Sequence, residues 1–318
     1  MQVKKVVLVS PRGFCAGVER AVQVVEDSIE IFGSPVYVKH EIVHNKKVVE
    51  ELEKKGAKTI EDLNDVSENS VVIFSAHGSP PEHYELAKKK NLRLIDATCP
   101  LVTKVHLEVK KFAKEGYKII YICHKNHIEA KGVIGELNEN IFPVESTEDV
   151  ESLEIGSQEK LVYLSQTTLS VSETQEIIKA IKKKFPQVID PPKEDICYAT
   201  TNRQKAIKEL AEKTDLILVV GSKASSNSQR LVETAKALGT PAYLIDGIED
   251  LKTDWFNGIN SVGISAGASS PERIVLQLVE YFTEKGARKE ELKVLEEKMK
   301  FVEPFELTKI KKERNENA

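Results

Sequence analysis

The stretch "KKVVLVSPRGFCAGVERAV", residues 4–22, contains the pattern on which the fold turns. A run of Val and Leu leads into a Pro-Arg-Gly-Phe-Cys loop ending at Cys15, and apolar residues then recur at helical spacing through "ERAVQVVEDSIEIFG". Strand, loop and helix in that order form the unit of an α/β protein. The same start returns in "VVIFSAHG", "YKIIYICHKNH", "KLVYLSQTT", "DLILVVGSK" and "SVGISAGAS", each a short β-branched run that ends in a polar or Gly-rich loop. Such alternation predicts an α/β fold with largely parallel sheets.

The loops repeat in order. A cysteine turn at Cys15 is followed by "HEIVHNKKVV" and "FSAHGSPPEH"; one at Cys99 by "CHKNHIEAKG" and "LSQTTLSVSET"; one at Cys197 by "GSKASSNSQR" and "ISAGASSPER". Cys15 to His44 spans 29 residues, Cys99 to His127 spans 28 and Cys197 to Ser225 spans 28. The next steps are 33 (His44 to His77), 40 (His127 to Thr167) and 44 (Ser225 to Ser269). This predicts three pseudo-repeated α/β lobes in a threefold arrangement. Lobe 1 covers residues 14–98 and lobe 2 residues 99–194; lobe 3 covers 195–283 together with the N-terminal strand in 1–13, and 284–318 form a tail. An ordinary α/β protein also has polar loops after its strands, but that does not account for three cysteines at one phase of a repeat.

At 318 residues the chain is long enough for two or three domain-sized units. Its 46 Lys and Arg nearly balance 50 Asp and Glu, for a net charge of −4. A nucleic-acid binder shows a basic excess, so no nucleic-acid partner is expected. No apolar run approaches the ~20 residues of a membrane span, and the N-terminus carries no signal-peptide pattern. The expectation is a cytoplasmic protein without a membrane partner.

None of the four cysteines forms a CxxC pair. Cys15, Cys99 and Cys197 each precede a predicted helix, and Pro100 favours the first helical position. Orphan N–H groups and the helix dipole there lower a thiol pKa, and thiolate is the form that binds metal. Three thiolates suit zinc completed by His or water, or three irons of a [4Fe–4S] cluster whose fourth iron stays open as a Lewis acid. Spacings of 84 and 98 residues between the cysteines favour a central cofactor over a local zinc knuckle. Cys123 ends an apolar strand outside this phase and reads as a small core residue.

His44, His77 and His127 lie in the repeated loops, with Thr167, Ser225, Ser226, Asn227 and Ser269 at the corresponding later places. Imidazole, hydroxyl and amide donors backed by helix N-termini suit a phosphate or diphosphate. There is no GxxxxGK[ST] or GxGxxG stretch, which argues against a nucleoside triphosphate or NAD. "SSPER" also resembles a helix capping box. Glu129, two residues after His127 and read as a loop residue, is a candidate proton donor, because nearby negative charge favours its protonated form.

Nine stretches in order, "RGFCAGVERAV", "VHN", "SAHG", "DATCPLVTKVH", "HIEAKG", "SQTTLSV", "DICYATTNRQ", "GSKASSNS" and "SAGASSPE", resemble the LytB/IspH family of reductases from about residue 5 to about residue 282. The resemblance implies a trefoil-like arrangement of the lobes around a central [4Fe–4S] cluster, one per chain, on Cys15, Cys99 and Cys197. It implies substrate contacts from His44, His77, His127, Thr167, Ser225, Ser226, Asn227 and Ser269, with Glu129 as proton donor. The implied reaction is reductive removal of the hydroxyl of (E)-4-hydroxy-3-methylbut-2-enyl diphosphate, giving isopentenyl and dimethylallyl diphosphate, the last step of the non-mevalonate isoprenoid pathway. The chain has no flavin or nicotinamide motif, so a ferredoxin or flavodoxin is the implied electron donor. One departure is Ile128, where the family often has Pro; it removes no chemical group but leaves the turn before Glu129 less restricted. "KKERNENA" at the end carries no motif and reads as a frayed, charged terminus.

Overall fold

The computed structural model describes residues 3–137 and 139–316. The chain forms two compact units: Met1–Ala16, His44–Val48 and Tyr198–Met299 make the first, and Gly17–Val43, Val49–Cys197 and Lys300–Ala318 the second.

The chain starts with strand β1 (Lys5–Ser10) and helix α1 (Ala16–Phe32). Next come β2 (Val36–Lys39), α2 (Lys46–Lys55), β3 (Ala57–Ile60), β4 (Val71–Phe74), α3 (Pro81–Lys89) and β5 (Arg93–Asp96). A second run follows with α4 (Pro100–Lys114), β6 (Lys118–Ile122), α5 (Ile128–Ile134), β7 (Ile141–Val144), α6 (Thr147–Ser152), β8 (Leu161–Ser165), α7 (Val171–Lys184) and β9 (Val188–Ile189). The third run has α8 (Tyr198–Ala211), β10 (Leu216–Val220), α9 (Ser226–Ala237), β11 (Ala242–Ile245), β12 (Ser261–Ala266), α10 (Glu272–Glu284), β13 (Arg288–Lys293) and α11 (Phe305–Glu316).

The first unit holds one parallel sheet of order β11-β10-β12-β1-β13. Its central strands β10, β12 and β1 are buried on both faces, as parallel strands under crossover helices must be. Val6, Leu8, Leu218 and Ile264 pack against Ile274, Val275, Leu278 and Phe282 of α10. The alternate residues Val7, Val9, Ile217 and Val219 meet Ile207 and Leu210 of α8 and Leu231 and Val232 of α9.

The second unit holds two parallel four-stranded sheets, β3-β2-β4-β5 and β7-β6-β8-β9. In the latter, Ile119, Tyr121, Val162 and Leu164 face Val105, Val109 and Phe112 of α4, while Ile120, Ile122 and Leu161 face Ile177 and Ile181 of α7.

All three sheets share one topology. The strand after the first runs to one side and the next crosses back to the other, so the order reverses between β2 and β4, β6 and β8, and β10 and β12. The fourth strand of each set, β5, β9 or β1, leads into a cysteine and a helix. Pairing of β1 with β12 gives the N-terminal strand that fourth place in the third sheet.

Residues 284–316, read as part of a tail, contain a strand and a helix. Strand β13 pairs in parallel with β1 from Lys5↔Arg288 to Ser10↔Lys293. Its sequence RKEELK lacks an apolar run because it is a half-exposed edge strand, where charged residues are tolerated. Helix α11 buries Leu307 and bonds to α1, with Lys311 Nζ on Asp27 Oδ2 at 2.8 Å and the Arg314 guanidinium on the Ile31 carbonyl. Of the supposedly frayed "KKERNENA", residues up to Glu316 are helical, and the last two lie outside the described residues.

Candidate functional site

Loops at the carboxyl ends of parallel strands, where the strand order reverses, are the places where open α/β sheets bind ligands. The loops after β2 and β4 carry His44 and His77, those after β6 and β8 carry His127 and Thr167, and those after β10 and β12 carry Ser225 and Ser269. The matching spacings in the sequence thus reflect equivalent positions in three sheets.

In the second unit hydrogen bonds and one ring contact link most of the predicted residues. The Cys99 N–H donates to the carbonyl of Ala76, the residue before His77, at 3.0 Å. The His77 ring stands edge-on to that of His127, centroids 6.1 Å apart. His127 is the N-cap of α5, and its Nδ1 accepts from the Glu129 N–H at 3.1 Å. In the neutral ring that leaves the proton on Nε2, a donor for an anion. Glu129 is 2% exposed and accepts from the Thr167 N–H on Oε1 at 2.8 Å and from the Thr167 hydroxyl on Oε2 at 2.9 Å. The Thr167 carbonyl in turn accepts from the Cys197 N–H at 3.0 Å.

Glu129 therefore lies in the first turn of α5 and not in a loop, because His127 starts the helix two residues earlier. Ile128 occupies the first helical position, whose N–H has no intrahelical partner, so the absence of proline costs no helix bond. Burial pushes the Glu129 carboxyl up to about 7 against the opposing pull of the two Thr167 bonds, and Asp195 adds a smaller upward push. Its main cause is thus desolvation of the charged form, not the neighbouring negative charge assumed from the sequence.

In the first unit a second cluster forms around Cys15. Its N–H donates to the Ala268 carbonyl at 3.2 Å, and the Ala268 N–H donates to Asn227 Oδ1 at 2.9 Å. Ser269 Oγ donates to the His44 carbonyl at 3.1 Å and lies 3.5 Å from Ser225 Oγ. Ser225 caps α9 by accepting from the Ser228 N–H at 3.3 Å, and Ser226 is the first residue of that helix. No capping box forms at "SSPER": the N-cap of α10 is Pro271, and Ser270 bonds instead to the Val220 carbonyl at 2.8 Å.

Four residues of the site escaped the sequence reading. Arg203 is fully buried and donates to the Gly13 carbonyl at 2.7 and 3.2 Å, to the Phe14 carbonyl at 3.4 Å and to the Ala199 carbonyl at 3.0 Å. Glu297 balances its charge at 3.0 Å. Tyr198 Oη accepts from the Ala16 N–H at 3.2 Å, so the backbone on both sides of Cys15 is held by α8. Gly13 has φ +67°, and a Cβ there would meet the Ser270 carbonyl at 3.2 Å, which explains the glycine in this loop. Thr200 Oγ1 accepts from Asn227 Nδ2 at 3.4 Å, and Asp195 accepts from the Ser165 N–H at 2.8 Å and from Lys104 at 2.6 Å. Arg203, Tyr198, Thr200 and Asp195 all fall inside the quoted "DICYATTNRQ"; a lone arginine on a helix face of small residues was the available signal.

None of the four cysteines is in a disulfide. Cys123 lies in the core beside Tyr121 and Val162, and burial pushes its thiol up to about 12, which makes it a poor ligand. Cys15, Cys99 and Cys197 are half-buried instead, each directly before a helix, with Cys99 at the N-cap position of α4. These accessible sulfurs are soft ligands, so this donor set fits a soft iron–sulfur group. Among the described residues no group of three or more His, Cys, Asp or Glu is placed to hold a single metal ion. In an iron–sulfur cluster each cysteine takes its own iron, so the sulfurs need not share one atom.

Parallel sheets with polar loops at their reversal points and a half-buried cysteine before the next helix define an α/β protein of one repeated topology. The LytB protein family model matches residues 6–283. The 4-hydroxy-3-methylbut-2-enyl diphosphate reductase of Mannheimia succiniciproducens is 48% identical over 307 residues, covering 95% of this chain and 98% of that one. The solved structure of the E-1-hydroxy-2-methyl-but-2-enyl-4-diphosphate reductase from Plasmodium falciparum matches with TM-score 0.96 and 42% identity, covering 98% of this chain and 99% of that chain. A structure described as (E)-4-hydroxy-3-methyl-but-2-enyl diphosphate reductase, the terminal enzyme of the non-mevalonate pathway, matches with TM-score 0.65 and 34% identity, covering 89% of this chain and 100% of that chain. The chain belongs to the LytB family. Its α/β class with parallel sheets is the one predicted from the sequence, and the three sheets share one topology.

Proposed function

We propose that this protein is the reductase of the terminal step of the non-mevalonate pathway, converting (E)-4-hydroxy-3-methylbut-2-enyl diphosphate to isopentenyl and dimethylallyl diphosphate. The observation that carries the reading is a fully buried acid, Glu129, with a carboxyl near 7, bonded at both oxygens to Thr167 and joined through it to the Cys197 turn. A surface carboxylate of ordinary pKa is almost wholly ionised at neutral pH; Glu129 retains its proton in about half of the molecules and so serves as an acid.

Cys15, Cys99 and Cys197 are the residues that hold a [4Fe–4S] cluster, one per chain, in a protein of three repeats: 14–98, 99–194 and 195–283 with the strand in 1–13. When bound, the cluster supplies electrons and one iron that is a Lewis acid. The chain's own groups do the rest. His44, His77 and His127 with Ser225, Ser226, Asn227 and Ser269 bind the diphosphate, with His127 Nε2 as one donor. Thr167 orients the Glu129 carboxyl, and the free lone pair on each carboxyl oxygen accepts and releases the proton delivered to the departing hydroxyl. Near-complete burial of Glu129 keeps bulk water from competing for that proton. Among the described residues no helix is long and apolar enough to cross a membrane; the proposed setting is the cytoplasm, with electrons from a ferredoxin or flavodoxin.

Iron and acid-labile sulfide per chain, measured after anaerobic reconstitution, test the reading together with an EPR or Mössbauer spectrum with and without the allylic diphosphate. About four of each and a substrate-shifted iron site are expected. Zinc without sulfide would sink the redox assignment.

A further inference from the structure

His106 stands with Val102, Val105 and Val109 on the buried face of α4, and it is 6% exposed. Its Nδ1 lies 2.6 Å from Oε1 of Glu136, which directly follows Gly135, the C-cap of α5. The Glu136 side chain is itself 3% exposed, and Lys110 Nζ pairs with its other oxygen at 3.0 Å. Burial pushes the Glu136 carboxyl up, but the His106 and Lys110 donors outweigh it and hold the group below its ordinary value. An ionised carboxylate only accepts, so His106 donates from Nδ1.

The other edge of the ring faces the turn that bears His77. Gly78 follows His77 with φ +82°, and a Cβ there would lie 2.8 Å from His106 Nε2. A Cβ on Gly132 of α5 would lie 3.5 Å from His106 Cε1 and 3.5 Å from the Gly78 carbonyl. Ring, turn and α5 thus close on one another, and Gly78 leaves no room for a side chain. Ser75 holds the turn shut: its carbonyl accepts from the Gly78 N–H at 3.3 Å, and its Oγ lies 3.2 Å from His77 Nδ1. His106 Nε2 is buried and has no hydrogen-bond partner among the described residues. A leucine would pack here without an unpaired nitrogen, so packing alone does not account for a histidine held by a buried carboxylate.

We propose that His106, fixed by Glu136, is a positioning residue that sets the spacing of His77 and His127 for the diphosphate. The inference rests on the reading of those two histidines as diphosphate contacts. Their rings stand 6.1 Å apart, one on the turn against His106 and the other at the N-cap of α5. Glu136 anchors the ring to the far end of α5, so a displaced ring moves His77 against the helix that carries His127. Glu129 lies on the same helix, but Thr167 fixes its carboxyl from the loop after β8. The His106–Glu136 pair therefore acts on diphosphate affinity and not on proton delivery.

The test uses the cluster-loaded enzyme in two ways: turnover with reduced methyl viologen, and calorimetric titration of the oxidised form with the allylic diphosphate. Glu136→Leu leaves the His106 donor unpaired and is expected to raise KM and Kd about tenfold, with kcat within about twofold of native. Glu136→Gln keeps an acceptor oxygen for His106 Nδ1 and is expected to restore both constants. His106→Leu combined with Glu136→Leu removes both partners, so its melting temperature is expected near the native one, with the loss of affinity retained. Native affinity in that double variant would assign the pair to stability alone and overturn the proposal. So would an unchanged Kd in Glu136→Leu, or a fall in kcat without a change in Kd. If the native enzyme binds the diphosphate but does not turn over with viologen, the proposed reaction falls, while the affinities still decide the role of His106.

Discussion

Thr167 grips Glu129 at both ends of the carboxyl group, with its N–H on Oε1 at 2.8 Å and its hydroxyl on Oε2 at 2.9 Å. The two residues are 38 positions apart, on the loop after β8 and the first turn of α5, and both are buried. A carboxylate that receives two hydrogen bonds is ordinarily a stronger acid. Here complete desolvation outweighs both bonds and leaves the group near 7.

Glu129→Gln retains the shape: the amide oxygen accepts from the Thr167 N–H, and the amide nitrogen donates to the Thr167 hydroxyl. Turnover is expected to fall about 100-fold or more, with iron content and diphosphate affinity kept. Steady-state kinetics beside iron analysis check this, and near-native turnover would remove Glu129 as the essential donor.

The native enzyme is expected to lose turnover as pH rises through about 7, where Glu129 gives up its proton. Stability follows the same group. The folded-state pKa is raised from 4.5 to about 7, so the stability it contributes is full below pH 4.5 and is lost as pH rises through 7. The loss amounts to about 3 kcal/mol. Urea midpoints measured between pH 4.5 and 8 should fall in the native protein and stay flatter in Glu129→Gln.

Thr167→Val deletes the hydroxyl donor and keeps the backbone one. That bond favours the ionised carboxylate, so its loss should move the alkaline limb of the rate profile up by roughly one pH unit. A limb that moves down would mean that the hydroxyl is an acceptor from protonated Glu129.

Arg203→Met removes a fully buried guanidinium and leaves the Gly13, Phe14 and Ala199 carbonyls without that donor. The expected cost is about 3 kcal/mol, read from the urea midpoint of the metal-free protein. Iron should also be lost faster from the reconstituted variant, because the turn bearing Cys15 is no longer held. A native iron-loss rate would limit Arg203 to a structural role.

Ser225→Ala takes the cap from α9, at a cost of about 1 kcal/mol, seen as a lower melting temperature. Under the proposed function the KM for the diphosphate also rises. A lowered melting temperature with an unchanged KM would assign Ser225 to capping alone.

Much of this was legible in one dimension. Three cysteines 84 and 98 residues apart, each followed after 28 or 29 residues by a polar loop, report a topology used three times, and β1 falls into its third-sheet place by the same phase. Ser225 and His127 stand out in the sequence as polar residues after strands, and the structure places both at helix N-caps. Strand β13 was hidden because an edge strand needs no apolar alternation, only free ladder groups on β1 to pair with. Arg203 was hidden because a buried charge is legible only when its carbonyl partners, some 190 residues away, are in place.

Periodicity and loop chemistry are local or repeated properties, and the order of residues was enough for the α/β class, the threefold repeat and the set of polar loops. The acidity of Glu129 is not local. It depends on how much water the packed chain removes from one carboxyl group and on a threonine 38 residues further on, and both exist only once the second unit has folded.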